Sequence, residues 1–197
     1  MPRSFSLSEL LHELEESGRL NDATHFERSQ RMLNITRDTG EFLAVLVKAT
    51  FATRILEIGT SNGYSTLWLA SACDPKRACI TTVEKSPYKS GLAAVNFRRG
   101  QLTDRIDARQ VDAGTFLRSA SSASFDFLFL DSDRSEYVGW WPELERVLTP
   151  GGLLVVDNAS SHPKEMAEFV ALVQKNSDFE TSLVPVGNGE FLAVKSR

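Results

Sequence analysis

From about residue 50 onward, short apolar runs alternate with segments of helical spacing, and this alternation restricts the fold more than any other feature. The apolar runs occupy residues 54–58, 79–84, 105–111, 125–130 and 153–156. Runs that are apolar on both faces, such as 125–130, are typical of inner strands in a parallel sheet. Because strands that alternate with helices form βαβ units, we predict a doubly wound α/β fold.

The C-terminal segment has a different pattern. Two further strand candidates, 179–184 and 191–195, flank a short connection that contains Asn188 and Gly189. Asn-Gly pairs favour tight hairpin turns, so these two strands are expected to be antiparallel. The sequence therefore predicts a mostly parallel seven-stranded sheet with an antiparallel C-terminal hairpin.

The first fifty residues are expected to be helical. Leucines at helical spacing define one face of a first helix, at Leu7, Leu10, Leu11 and Leu14. Ser6 and Glu9 form a capping-box start, and Gly18 is the predicted end of this helix. A second apolar helix is predicted over about 40–49.

The charge balance and the lack of long apolar runs exclude several classes of protein. The 22 Lys and Arg against 26 Asp and Glu give a net charge of −4, which argues against a general binder of nucleic acid or anionic membranes. A basic group within 98–109 leaves a tRNA contact open. No apolar run reaches the roughly 18 residues of a membrane span, and no secretory signal is evident. We expect one cytoplasmic domain, 1–197, with Cys73 and Cys79 as free thiols.

The turn after the first predicted strand is a candidate binding site, because open α/β sheets bind ligands beyond the carboxyl ends of their strands. This turn contains Gly59 and Gly63, and glycine lets a backbone bend tightly and approach a ligand closely. It is not the GxGxxG motif of dinucleotide binding, because Ser61 replaces the second glycine, and Glu57 would repel a pyrophosphate. A cationic ligand with a nucleoside and no phosphate suits this turn better.

Acidic residues at two later strand ends extend this interpretation. Glu84 could accept hydrogen bonds from both ribose hydroxyls, and Asp112 could accept one from the amino group of an adenine. Together with the turn at Gly59, they describe a site for S-adenosylmethionine. The alternative is that the turn only joins a strand to a helix and that the acids are solvated strand ends.

A second group of polar residues follows the fourth and fifth predicted strands. If these strands are neighbours, Asp131, Asp157 and Asn158 meet at one edge of the sheet. Their oxygens are hard ligands that suit Mg²⁺, Ca²⁺ or Mn²⁺. Such an ion would lower the pKa of a bound hydroxyl, which could then attack a sulfonium methyl group in line. The alternative is that Asp-Asn only starts a turn.

Several motifs resemble a known enzyme family. In chain order they are ILEIGTSNGYSTLWLA (55–70), VEKSP (83–87), VDA (111–113), FDFLFLDSDRSEY (125–137) and PGGLLVVDN (150–158). They resemble the cation-dependent O-methyltransferases of the catechol and caffeoyl-CoA type, which are class I S-adenosylmethionine enzymes. The resemblance covers about 30–195 and implies a Rossmann-like sheet, N-terminal helices over 1–50 that cover the site, and a homodimer.

The resemblance also implies a role for individual residues. It assigns contacts with the methionine part of S-adenosylmethionine to Ile35, Glu57, Gly59, Thr60 and Ser65. It assigns contacts with the ribose and the adenine to Glu84, Lys85, Asp112 and Ala113. It assigns a divalent cation, taken as Mg²⁺, to Asp131, Asp157 and Asn158. Asp131 is also expected to lie against the cofactor and to take part in catalysis.

Two positions depart from the family pattern. Arg134 stands where the family has a catalytic lysine; an arginine stays protonated, so it could hold an anionic oxygen or a substrate carboxylate but could not act as a base. The metal, with Asp133 or His162 assisting, would then promote deprotonation. The segment 159–163 lacks the usual apolar, tryptophan-rich character, which indicates an unusual acceptor. Trp140 could form an aromatic acceptor wall or pack in the core.

These observations lead to an expected function. We predict an S-adenosylmethionine-dependent O-methyltransferase that methylates a hydroxyl of a small, catechol-like acceptor with the help of a divalent cation. One alternative is a tRNA hydroxyuridine-type O-methyltransferase. The other is a cofactor-binding module with weak catalysis, which the arginine at position 134 keeps open.

Overall fold

The computed structural model describes residues 6–74, 76 and 79–197. The rest of the predicted domain and of the predicted turn between Cys73 and Cys79 lies outside the described residues. The α-helices are α1 (Leu7–Thr24), α2 (Arg37–Thr50), α3 (Tyr64–Ala72), α4 (Pro87–Arg99), α5 (Ala113–Ser119), α6 (Tyr137–Val147) and α7 (Pro163–Gln174). The strands are β1 (Arg54–Ile58), β2 (Cys79–Glu84), β3 (Ile106–Gln110), β4 (Phe125–Leu130), β5 (Leu148–Val156), β6 (Phe179–Val184) and β7 (Glu190–Lys195).

The strands form a single seven-stranded sheet in the order β3-β2-β1-β4-β5-β7-β6. Strands β1 to β5 pair with one another in parallel. Strand β7 is antiparallel to both of its neighbours, β5 and β6. This arrangement confirms the predicted doubly wound, mostly parallel sheet with an antiparallel C-terminal hairpin. The strand order reverses between β1 and β4, and in open sheets of this kind ligands bind beside that point.

Helices cover both faces of the sheet, and the alternation of side chains along the strands explains the two cores. Phe127 and Phe129 point to the face that carries α1, α2 and α3, where they share a cluster with Leu43. Leu128 and Leu130 point to the opposite face, which is covered by α5, α6 and α7. Because both faces are buried, the inner strands are apolar throughout, as the sequence indicated.

The first helix is longer than predicted, because Gly18 does not end it. Helix α1 continues to Thr24, and Gly18 lies against Asn34. A Cβ at Gly18 would lie 2.4 Å from Asn34 Nδ2, and the same nitrogen donates to the carbonyl of Leu14 at 3.0 Å. This glycine therefore allows a close approach between α1 and the segment that follows it.

Other predicted boundaries moved by a few residues. Helix α2 begins at Arg37 instead of Gly40, because the hydroxyl of Thr36 accepts a hydrogen bond from the N–H of Thr39 and caps it. Strand β5 begins at Leu148 instead of Leu153, and its first part contains Pro150. In the described part of the chain, no helix combines the length and the apolar character needed to cross a membrane.

Candidate functional site

A cavity of about 650 Å³ opens at the carboxyl ends of the parallel strands. Its walls include most of the residues predicted to form the site: Gly59, Glu84, Lys85, Asp112, Ala113, Asp131, Arg134, Asp157 and Asn158. These residues come from five different strand ends or the segments just after them. The fold therefore brings together side chains that are up to about a hundred residues apart in the sequence.

The turn after β1 is held against the end of β4. Gly59 has a φ of +111°, and a Cβ there would lie 2.0 Å from the carbonyl oxygen of Asp131. The N–H of Gly59 donates to the carbonyl of Val83 at 3.0 Å, and the N–H of Asp131 donates to that of Ile58 at 3.0 Å. Both the positive φ and the close approach require glycine at position 59.

Glu84 is oriented by backbone donors on both of its oxygens. Its Oε2 accepts from the N–H of Ser61 at 3.0 Å, and its Oε1 accepts from the N–H of Ser86 at 2.8 Å. Asp112 caps α5 through a hydrogen bond from the N–H of Thr115 at 2.8 Å, which holds the pKa of Asp112 below its usual range. Each carboxylate is thus held in place at the wall of the cavity.

Glu57 lies behind the cavity wall and does not line it. Its side chain is 0% exposed, and its oxygens accept hydrogen bonds from the hydroxyls of Ser65, Thr66 and Thr82. Burial raises the pKa of Glu57 to about 6, although these three hydrogen bonds oppose the shift. The contact of Glu57 with the cofactor stays a prediction, and Ser65, which donates to Glu57, is one of the residues that line the smaller cavity.

Three other predicted contacts of the methionine group lie together at a smaller cavity. Ile35, Thr60 and Ser65 line a space of about 10 Å³ whose wall also includes Gly59 and Asp131. Gly59 and Asp131 line the large cavity too. These residues therefore lie next to the main site, at its base, and their contacts with a cofactor stay predictions.

The predicted metal ligands lie side by side. Strands β4 and β5 are neighbours, and the N–H of Asp157 donates to the carbonyl of Leu130 at 3.0 Å. Asn158 Nδ2 lies 2.7 Å from Asp157 Oδ2 and 3.4 Å from Asp131 Oδ1. Burial raises the pKa of Asp131 well above its usual range, and the charge of Asp157 raises it further. Burial also raises the pKa of Asp157.

A third carboxyl group, Glu190, lies behind this pair. Its side chain is 0% exposed, and its Oε1 accepts from the hydroxyl of Thr39 at 3.0 Å. Burial raises the pKa of Glu190 to about 10, and the charge of Asp157 contributes. Burial and the nearby charge of Asp157 both favour the neutral form of Glu190, and the interaction with Glu190 in turn opposes the upward shift in the pKa of Asp157.

The chemistry of this group fits a divalent cation. Two carboxylates and one amide offer hard oxygen donors, and the amide of Asn158 can present either its oxygen or its nitrogen. The two aspartates are close, and their negative charges are only partly balanced by nearby groups of the protein. A bound cation would therefore reduce the repulsion between them. Within the described ranges, no group of three or more His, Cys, Asp or Glu side chains is arranged to hold a metal. A cation held here would therefore need the amide of Asn158 in addition to the two carboxylates.

Arg134 and His162 both line the cavity beside the aspartates. The side chain of Arg134 is only 9% exposed, and its Nε donates to Glu165 Oε2 at 2.8 Å. His162 precedes α7 without capping it through its side chain, and its Nδ1 lies 2.9 Å from the hydroxyl of Ser161. Asp133 accepts from the hydroxyl of Ser135 at 2.8 Å, and this bond lowers the pKa of Asp133.

Sequence reasoning missed several residues of the cavity. Arg28 and Arg31 come from the segment between α1 and α2, Lys89 from the first turn of α4, and Asn188 from the connection between β6 and β7. None of them follows a parallel strand, so the rule that directed attention to strand ends could not find them. Trp140 lines the cavity and also packs against the buried cluster on its face of the sheet, and its contact with an acceptor stays a prediction.

Comparison with known proteins identifies the family. A model of the O-methyltransferase family matches residues 3–196, so this chain belongs to the O-methyltransferase family. Catechol O-methyltransferase of Niastella koreensis is 32% identical over 145 residues, which cover 72% of this chain and 65% of that protein. Catechol O-methyltransferase of Mycobacterium tuberculosis is 34% identical over 124 residues, which cover 63% and 56%. The chain thus spans less than two thirds of the length of these two relatives.

Solved structures show the same architecture. An O-methyltransferase from Bacillus cereus in complex with SAH has a TM-score of 0.79 and 25% identity, and the match covers 100% of this chain and 93% of that chain. TomG from Streptomyces achromogenes, in complex with SAM, has a TM-score of 0.79 and 25% identity over 96% of this chain and 90% of that chain. The family that the sequence motifs resembled is therefore confirmed.

Proposed function

We propose that this protein is an S-adenosylmethionine-dependent O-methyltransferase that uses a divalent cation, Mg²⁺, to methylate a hydroxyl of a small acceptor. The observation that carries this proposal is the convergence of Asp131, Asp157 and Asn158 in the cavity that also contains Gly59 and Glu84. A hard-oxygen donor set beside a nucleoside site is the arrangement that joins a methyl donor to a metal-held hydroxyl.

The cofactor half of the cavity follows the β1 turn and the ends of β2 and β3. Glu84 presents a carboxylate fixed by two backbone donors, which suits the paired hydroxyls of a ribose. Lys85 lies beside it, and Asp112 and Ala113 line the wall further on, where the adenine would bind. Two family members of the same fold, in complex with SAH and with SAM, support this cofactor.

The acceptor half follows the ends of β4 and β5. Asp131, Asp157 and Asn158 would hold the cation, which supplies a Lewis acid that lowers the pKa of a bound hydroxyl. Arg134 cannot remove the proton, because a guanidinium stays protonated. Asp133 is a poor base, because hydrogen bonds lower its pKa. His162 is the better candidate, because it lines the cavity beside the aspartates and an imidazole nitrogen can accept a proton.

The remaining properties follow from the family. The curated relatives named catechol and caffeoyl-CoA O-methyltransferase support a small hydroxylated acceptor of the catechol type. A single domain with N-terminal helices over the site, a cytoplasmic location and a homodimer remain predictions from the sequence. Methylation of a tRNA base remains an alternative outcome of the experiment below.

The test combines binding and turnover. Calorimetry should detect binding of S-adenosylhomocysteine, and labelled S-adenosylmethionine should transfer its methyl group to members of a catechol panel when Mg²⁺ is present. EDTA should abolish this transfer, and excess Mg²⁺ should restore it. Full activity in EDTA would remove the cation from the proposal. Transfer to bulk tRNA but to no catechol would replace the small acceptor, and cofactor binding without any transfer would indicate a binding module.

A further inference from the structure

The acceptor half of the cavity contains positively charged side chains that have no role in the proposed methyl transfer. Arg28 and Arg134 line the same cavity as Asp131, and Arg28 is hydrogen-bonded to the carbonyl of Ser132, the residue after Asp131. Neither group is needed to hold a cation, since a cation repels them. Neither can act as a base. Their presence beside the reacting position therefore needs another explanation.

Arg134 is held in a defined orientation with donors to spare. Its side chain is 9% exposed, and its Nε is occupied by Glu165 at 2.8 Å. Within the described ranges, its two Nη atoms donate no hydrogen bond and are not fully buried, and the residue lines the cavity. A guanidinium offers five N–H donors in a planar fork that matches a carboxylate or a phosphate. Because the Nε bond fixes this fork, it is ready to bind such a group.

Arg28 approaches the same position from the segment between α1 and α2. Its Nη2 donates to the carbonyl of Ser132 at 3.2 Å, directly after Asp131. Arg31 lines the same cavity, and its buried Nε has no hydrogen-bond partner among the residues that the structure describes. A buried donor without a partner is costly, so a ligand that supplies an acceptor there would be stabilising.

The walls on this side of the cavity are polar. His162 and Asn188 line it, and the segment 159–163 supplies none of the aromatic side chains that would enclose an apolar ring. Lys85 and Lys89 also line the cavity, and the charge of Glu84 acts on Lys89 more strongly than that of Asp131 does. The arginines Arg28 and Arg134 are therefore the positive groups on which the acceptor half depends most.

We propose that the acceptor is a small hydroxylated molecule that also carries an oxyanion group, and that the guanidinium groups of Arg134 and Arg28 bind this group beside Asp131. This inference rests on the proposed function and names the acceptor class of the same site. A carboxylate is the simplest such group, and a bidentate, charge-assisted pair with arginine gives both affinity and orientation. The oxyanion would fix the position of the hydroxyl relative to the methyl donor.

The experiment measures binding, so it does not depend on finding the natural acceptor. The complex of the protein with S-adenosylhomocysteine and Mg²⁺ is titrated with 3,4-dihydroxybenzoate and 3,4-dihydroxyphenylacetate, and with the methyl ester of each. Each pair shares its two hydroxyls and differs in the negative charge. We expect at least one acid to bind roughly tenfold or more tightly than its ester in the wild-type protein.

Variants assign this preference to the two arginines. Arg28→Met and Arg134→Met should reduce the ratio of acid to ester affinity to within about twofold of one, while S-adenosylhomocysteine binding stays unchanged. Arg134→Lys should keep part of the preference, because it keeps the charge but loses the planar fork. Arg19→Met is the matched control, because Arg19 is an exposed arginine of α1 that pairs with Glu16 outside the cavity.

The outcomes separate this inference from the function on which it rests. Three results would each overturn the inference. The esters could bind as tightly as the acids, the preference for the acids could survive in both Met variants, or none of the four compounds could bind. If S-adenosylhomocysteine still binds in those cases, the proposed cofactor site stands. Failure of the wild-type protein to bind S-adenosylhomocysteine contradicts the proposed function itself.

Discussion

Two sites with buried acids near the cavity, Glu57 and the pair Asp131 and Asp157, differ in the number of hydrogen-bond donors around the carboxyl groups. Glu57 receives three hydroxyl hydrogen bonds, from Ser65, Thr66 and Thr82, which limit the rise of its pKa to about 6. Among the described residues, the carboxyl group of Asp131 accepts a hydrogen bond only from the amide of Asn158, at 3.4 Å, and the charge of Asp157 beside it raises its pKa. Glu57 is thus surrounded by donors, whereas Asp131 has one weak donor and a like charge next to it.

This difference in hydrogen bonding indicates a different role for each acid. A carboxylate surrounded by donors has a structural role, because its interactions are complete without a ligand. Two close carboxylates whose donors come almost entirely from one asparagine lower stability through their repulsion unless something positive binds between them. We therefore interpret Glu57 as a support of the turn after β1, and the pair of aspartates as the reactive part of the proposed site.

The largest expected effect is on turnover. Asp157→Asn should lower the rate of methyl transfer by at least roughly 10²-fold, because it removes a charged ligand and misplaces the acceptor hydroxyl. Binding of S-adenosylhomocysteine should change little, as calorimetry will show. If the variant keeps most of its turnover in the presence of Mg²⁺, the pair of aspartates is not needed for methyl transfer, and the proposed difference from Glu57 is wrong.

Replacing the supported acid should reduce stability. Glu57→Met keeps the length of the side chain but leaves the hydroxyls of Ser65, Thr66 and Thr82 without an acceptor. We expect the free energy of unfolding in denaturant to fall by roughly 2–4 kcal/mol. If the variant is as stable as the wild-type protein, these hydrogen bonds do not support the fold.

Replacing Asp131 should increase the stability of the protein, in contrast to the replacement of Glu57. In EDTA at pH 8, Asp131→Asn should raise the free energy of unfolding by roughly 1–3 kcal/mol, because it removes the repulsion with Asp157. The pKa of Asp131 is raised in the folded protein, so the wild-type protein binds this proton more tightly when folded and loses stability as the pH rises above about 4. The gain should therefore disappear near pH 4. A loss of stability at pH 8 would contradict this interpretation.

A smaller change sharpens the account of Glu57. Thr82→Val removes one hydroxyl whose hydrogen bond lowers the pKa of Glu57, so that pKa should rise above about 6. Between pH 4.5 and pH 6 the folded protein already holds the proton more tightly than the unfolded chain, so its stability falls as the pH rises. The variant should lose about 1 kcal/mol at pH 8 and less at pH 4.5.

Thr81→Val is the control for this measurement, because Thr81 is next to Thr82 on the same strand and makes no hydrogen bond to Glu57. Unfolding curves of both variants at the two pH values will show whether the effect depends on the ionisation of Glu57. An equal loss for the two variants at both pH values would mean that a change in strand packing explains it.

The parallel sheet and the convergence of its strand ends were predictable. Once the apolar run 125–130 and the run before Asp157 are recognised as neighbouring parallel strands, geometry alone brings Asp131 and Asp157 to one edge. The Asn188-Gly189 pair likewise predicted the hairpin, because its turn chemistry is local.

Features that depend on strand register or on close packing were not predictable in this way. Thr82 faces Glu57 because β1 and β2 pair in a register that no local pattern encodes. Gly18 was taken as the end of a helix, whereas its lack of a side chain makes room for Asn34. Glu190 looked like part of a turn, and only the packing of α2 against the end of β7 makes it a buried carboxyl.

The central claim is that Asp131, Asp157 and Asn158 bind one divalent cation in the cavity. Titration with Mn²⁺ in the presence of S-adenosylhomocysteine, followed by electron paramagnetic resonance, measures this directly. The account predicts one bound ion per wild-type chain, displaced by Mg²⁺, and no bound ion in Asp131→Asn. The absence of a bound ion in the wild-type protein, or equal binding by the variant, would contradict it.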